Sequence, residues 1–146
     1  MLFIRLMKIN MNKILYKKEI GQKIKKFDVL GDDVGVKIIL EDNTVITIKT
    51  CHYQDCCESV HGDFSNLKYH KNNIEGKKFS ELIIKSVKDM GFLLSFESVL
   101  TGSNKIFVPC YNYQNGYYSA NLSLEITWGE VEKSIDITGL VEDHID

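Results

Sequence analysis

At 146 residues, 44% hydrophobic and 26% charged, the chain has the balance of one globular domain and not that of a disordered segment. No apolar run reaches the about 20 residues that a membrane-spanning helix needs. Eighteen basic residues, seventeen of them Lys with Arg5 the single Arg, stand against 20 acidic ones, so the basic excess that drives sequence-independent nucleic-acid binding is missing.

Residues 1–15 are apolar but broken by Arg5, Lys8 and Lys13, and they lack the clean apolar block and small-residue cleavage site of a secretory signal. With Met7 and Met11 following Met1, residues 1–18 read as an N-terminal extension or an extra strand. A β-rich core domain is expected over 19–128, and a C-terminal tail or further strand over 129–146. Glu19–Phe27 reads as a short entry segment. Val34, Val36, Ile38 and Leu40 then alternate with Gly35, Lys37, Ile39 and Glu41, the period of a half-buried strand. Glu41-Asp42-Asn43 supplies turn chemistry, and the β-branched run Thr44–Thr50 completes a hairpin.

Asp63–Tyr69 fits one helical turn capped by Asp63 or Ser65, and Asn72-Asn73 marks a loop. Phe79–Met90 fits either a short helix or a strand, with strand the preferred reading. Gly91 turns the chain into Phe92–Phe96. Lys105–Tyr113 and Tyr117–Trp128 flank Asn115-Gly116, a strong hairpin signal. Past that turn Tyr118, Ala120, Leu122, Leu124, Ile126 and Trp128 share one face. Pro109 cannot donate to a ladder, which predicts an edge strand or a bulge there. The fold class is therefore α+β and predominantly antiparallel, built of hairpins in a twisted sheet or a small barrel or sandwich, with one or two short helices.

Reactive side chains concentrate in Cys51-His52-Tyr53-Gln54-Asp55-Cys56-Cys57-Glu58, with His61 close behind. Thiolate and imidazole are the ligands zinc prefers, so Cys51, His52, Cys56, Cys57 and His61 are candidate metal ligands. The segment has no Cys-x-x-Cys pair, however, and adjacent cysteines in a strand point to opposite faces. The same residues can be read as a nucleophile set. Cys56 or Cys57 would attack, His52 or His61 would act as base, and Asp55 or Glu58 would orient it. The acidic flanks oppose this by raising a thiol pKa. A vicinal disulfide is a third reading. The structural reading has the cysteines packing a tight corner while Asp55 and Glu58 cap backbone N–H groups.

A second cluster is Tyr111-Asn112-Tyr113-Gln114-Asn115-Gly116-Tyr117-Tyr118-Ser119. Tyrosine rings offer a stacking face and a hydroxyl, and Asn and Gln read hydrogen-bonding edges, which suits a nucleobase or sugar. Tyr111, Tyr113, Asn115, Tyr117 and Tyr118 are the candidate ligand contacts here, joined by His52, Asp55 and Glu58. Cross-strand packing of the same rings is the competing explanation. No catalytic residue is assigned.

Ile20-Gly21 with Lys23-Ile24, then His52 with Gln54-Asp55-Cys56-Cys57-Glu58-Ser59-Val60, then Asn115-Gly116-Tyr117-Tyr118-Ser119 resemble, in this order, a family of small domains of unknown function encoded mostly by tailed bacteriophages and their hosts. The resemblance spans about Glu19 to Trp128. It implies a phage or prophage setting, a cytoplasmic location in the host cell and a β-rich fold. It carries no activity. The loop Lys68–Lys78 and the tail after Trp128 depart from it. Four cysteines without the dense spacing of a secreted mini-protein fit the same reducing compartment.

Two functions follow as expectations. One is a non-catalytic phage accessory protein, an anti-defence protein that sequesters a nucleotide-like signalling molecule or inhibits a host defence protein, closed into a homo-oligomer. The alternative is a thiol- or zinc-dependent protein centred on the Cys-Cys-Glu corner, or a structural or regulatory phage component. No cofactor other than zinc is suggested, and neither a membrane nor a long nucleic acid is an expected partner.

Overall fold

The computed structural model describes residues 13–52, 59–114 and 121–145. It is dominated by antiparallel strands, as expected. Strand β1 runs over Ile14–Gly31, β2 over Gly35–Leu40, β3 over Val45–Cys51 and β4 over Ser59–Gly62. A 3-10 turn at Ser65–His70 leads into the single-turn helix α1, Lys71–Ile74. There follow β5 (Lys78–Val87), β6 (Gly91–Ser98), β7 (Gly102–Gln114), β8 (Ser123–Trp128), β9 (Val131–Asp136), a 3-10 turn at Thr138–Leu140 and β10 (Glu142–Ile145). The strands form one sheet in the order β10-β7-β6-β5-β1-β2-β3-β8-β9, with β4 added on β7. Among the described residues no helix is long and apolar enough to cross a membrane.

The segment read as a short entry is part of the longest strand. β1 pairs through Ile14–Lys23 with β5 and through Ile24–Gly31 with β2. The register shifts between Glu19 and Gln22, around Gly21, whose φ of +63° is the left-handed conformation that glycine adopts without steric cost. A boundary at residue 18 therefore falls inside β1, and residues 14–18 are laddered to β5. The tail after Trp128 supplies two strands, β9 against β8 and β10 parallel to β7.

Alternation along the strands sends one set of side chains into a single buried cluster. Phe96 of β6 sits at its centre, with ring centroids 5.9 Å from Phe27 of β1 and 5.5 Å from Phe79 of β5. Phe64, Leu67 and Ile74 from the segment between β4 and β5 cap this core. That cap is pinned to β1: Lys71 Nζ lies 2.7 Å from Asp28 Oδ1, and Phe27 N–H donates to Glu75 Oε2 at 2.9 Å. Asn72 and Asn73, expected in a loop, instead lie within α1. Lys18 Nζ sits 4.8 Å from the centroid of Trp128, and Lys133 Nζ 5.9 Å from that of Tyr16. The curled sheet thus brings β8 and β9 back against the first half of β1.

The Asn115-Gly116 turn of the expected hairpin lies outside the described residues, and among the described residues β7 and β8 do not pair. β8 lies between β3 and β9, so both its edges are taken. β7 pairs with β6 over Gly102–Pro109 and with β4 and β10 beyond. A turn signal is local, whereas each strand edge must find backbone partners across the whole molecule. Here β3 and β9 supply those of β8. Of the expected apolar face, Leu122, Leu124 and Ile126 are buried and Trp128 is half-buried, while Tyr118 and Ala120 lie outside the described residues. Pro109 faces Gly91 of β6 and comes just before Cys110, where the β4 ladder begins, so its missing N–H interrupts no pair of that ladder.

Candidate ligand-binding cleft

Two ladders organise the region where the reactive residues fall. At one, Cys51 ends β3 opposite Ser123, the first residue of β8. At the other, Ser59 begins β4 opposite Tyr113 near the end of β7. The chain passes from the first ladder to the second through residues 53–58, and back again through 115–120. Both clusters singled out in the sequence are thus joined, at each end, to the same two strand pairs. His61 and Tyr111, one from each cluster, face each other across β4 and β7 with ring centroids 6.3 Å apart.

Beside the first ladder a cleft of about 620 Å³ opens where β3, β8 and β9 end. Cys51 and His52 form one wall, and Asn121 to Ser123 the next. Among the described residues Ser134 and Asp136 of β9, with Thr138 of the following turn, also line it. His52 Nδ1 is hydrogen-bonded to the Asn121 carbonyl oxygen. A carbonyl can only accept, so the proton of that bond sits on Nδ1. Ser123 Oγ lies 3.3 Å from Cys51 O and 2.8 Å from Glu125 Oε1, and Ser134 Oγ donates to the same Glu125 oxygen at 2.9 Å.

Asp136 organises the adjoining turn. Its Oδ1 accepts from Thr138 Oγ at 2.6 Å and from Thr138 N–H at 3.0 Å. These bonds, the hydroxyl's first, hold the carboxyl below its ordinary pKa and keep it ionised. Thr138 Oγ in turn accepts from Leu122 N–H at 3.2 Å, and Ile137 N–H donates to Leu122 O at 2.9 Å. The turn is thereby stitched to the start of β8.

Of the residues picked from sequence, Cys51 and His52 line this cleft, while His61 and Tyr111 pair on the β4–β7 ladder. Tyr113 is placed by its backbone, opposite Ser59 on one side and His144 of β10 on the other. Asp55, Cys56, Cys57 and Glu58, and likewise Asn115, Tyr117 and Tyr118, lie outside the described residues. Among the described residues no three His, Cys, Asp or Glu side chains gather to hold a metal ion. Cys110 is buried in the core, and burial pushes its thiol up to about 12, so it is no nucleophile at neutral pH.

Ser123, Ser134, Asp136 and Thr138 were not singled out by the sequence. They are common polar residues on three separate elements. The one available signal was the Asp136-x-Thr138 spacing of an Asx turn after an alternating segment. Comparison with family models, curated proteins and solved structures gives no match.

Proposed function

We propose that this chain is a non-catalytic accessory protein of phage or prophage origin that binds a small nucleotide-type molecule in the cleft at the ends of β3, β8 and β9. Sequestering that molecule would blunt a host defence response. The observation that carries the binding reading is the shared anchorage of the two clusters. The tyrosine-bearing segment 115–120 rejoins the described chain at Asn121, hydrogen-bonded to His52 in the cleft wall. A cleft lined by hydroxyl, carboxylate, amide and imidazole groups offers the hydrogen-bonding partners that a base and a sugar need. The phage setting rests on the resemblance carried by the Gln54–Val60 and Asn115–Ser119 runs.

Native mass spectrometry of the purified protein, in reducing buffer and after incubation with a nucleotide mixture, tests this reading. A bound mass in the nucleotide range supports it, whatever the subunit number. A zinc-sized mass that leaves on chelation, with no organic adduct, would replace it with the metal reading at Cys51, His52, Cys56, Cys57 and His61.

A further inference from the structure

We propose that the outer edge of β9 takes up an extended strand from a protein partner, one that carries Lys or Arg at alternate positions. This goes beyond the nucleotide reading and does not depend on it. Strand β9 ends the sheet, and among the described residues β8 is its one ladder partner. The parity of that ladder is fixed at both ends. Trp128 and Val131 face each other across a two-residue turn, and in the same register Ile137 N–H donates to Leu122 O at 2.9 Å. Val131, Lys133 and Ile135 therefore turn their backbone groups toward β8, and Glu132 and Ser134 turn theirs outward. No backbone bond outside the regular ladders takes up these outward groups among the described residues. The strand has no Pro and no register shift, and all of it is exposed except half-buried Ile135. An edge of this kind is a template for strand addition.

Side chains narrow the occupant. Alternation puts Glu132, Ser134 and Asp136 on one face, beside Glu125 and Thr127 of β8. Glu125 accepts from the Ser123 and Ser134 hydroxyls and Asp136 from Thr138, all of them neutral donors. Among the described residues none of Glu125, Glu132 and Asp136 forms an ion pair. The lysines nearby do not reach the edge on this face. Lys49 stands opposite Glu125 on β3, with β8 between it and β9, and Lys37 lies one strand further in. Lys133 points to the other face, with its Nζ 5.9 Å from the Tyr16 ring centroid. A second copy of the chain is a poor match for this edge. The two-fold antiparallel registers that overlap most of β9 are centred on Lys133 and on Ser134. The first sets Lys133 directly opposite Lys133, and the second sets Glu132 opposite Asp136 on both sides, each an opposition of like charges. A strand with cations opposite Glu132 and Asp136, and apolar side chains beside Val131 and Ile135, satisfies both faces.

Fluorescence anisotropy with the full chain and a labelled Lys-Val-Lys-Val-Lys-Val peptide, blocked at both ends, tests this. A Glu-Val-Glu-Val-Glu-Val peptide controls for charge, and a version N-methylated at its lysines lacks the backbone donors that would face β9. The lysine peptide should bind, with an affinity that falls as salt rises. At saturation the Glu132 and Ser134 amides should exchange with solvent at least about tenfold more slowly. The other two peptides should not bind, and Glu132→Lys should weaken the lysine peptide roughly tenfold. Should Glu132→Lys fail to fold by circular dichroism, the N-methylated peptide still decides the matter on the unaltered protein. Equal binding of all three peptides, unchanged affinity in a folded Glu132→Lys, binding that leaves the two amides unprotected, or no binding would overturn the proposal. Slowing of those amides by raised protein concentration alone would overturn it in favour of a second copy.

Discussion

Cys51 and Ser123 face each other where β3 ends and β8 begins, and the Ser123 hydroxyl reaches the Cys51 carbonyl at 3.3 Å. The contact joins residues 72 apart in sequence. It sets the last described residues before the cysteine-rich segment beside the first described residues after the tyrosine-rich one. The cleft lined by Cys51, His52 and Ser123 opens beside this pair. Part of its lining comes from Asp136 at the end of β9 and Thr138 in the turn that follows.

The Asp136–Thr138 turn should leave a signature in acid. The lowered carboxyl pKa means that the turn stabilises the fold fully above the ordinary carboxylate value of about 3.9. Its contribution is lost as pH falls through the lower, folded value. Thr138→Val removes the hydroxyl but keeps the backbone N–H, so it should move the Asp136 titration midpoint upward in a carboxyl-detected NMR titration. The stability difference between the two proteins should shrink in strong acid.

Cysteine reactivity should divide sharply. Cys51 is exposed, whereas the Cys110 thiol is buried and raised to about 12. Peptide mapping after brief alkylation of the native protein near pH 8 should find Cys51 modified and Cys110 intact. Denaturant should make Cys110 react.

Phe96 joins the two halves of β1's neighbourhood by touching both Phe27 and Phe79. Truncation to alanine removes a fully buried ring and leaves a cavity, at a cost of about 3–5 kcal/mol. Urea denaturation of Phe96→Ala should show a lower midpoint with the slope unchanged.

Gly91 opens β6 with φ at +145°, and a Cβ there would lie 2.1 Å from the Val108 carbonyl oxygen. Strand β7 approaches too closely for any side chain. Gly91→Ala should cost about 2 kcal/mol or more, from strain and from displacement of β7. Thermal denaturation reads the loss directly.

Much of this fold was legible because burial and local turn chemistry agree. The β2–β3 hairpin is the clear case. Val36, Ile38 and Leu40 alternate inward, and Asn43, at the turn, adopts a φ of 69° that asparagine tolerates. β5 was less legible, because Phe79–Met90 fits a helix or a strand by pattern, and strand, the preferred reading, is what forms over Lys78–Val87. Asn115-Gly116 speaks only for its own turn, which lies outside the described residues, whereas the partners of β8 are β3 and β9. The cleft was half legible for a related reason. Cys51 and His52 belong to a conspicuous cluster. Ser134 and Asp136 reach the cleft only because β9 folds back on β8, in the register that sets Ser123 opposite Asp136. That pairing is a property of the assembled sheet, and no spacing in the chain announces it.

The central claim is that the cleft at the ends of β3, β8 and β9 is the binding site. Its most direct test is an amide NMR titration of the isotopically labelled protein with a panel of nucleosides and nucleotides. The account predicts saturable shifts concentrated at Cys51, His52, Asn121, Ser123, Ser134 and Thr138, with the β5–β6 hairpin unchanged. Saturable shifts confined to another face of the sheet, with these six amides still, would contradict it.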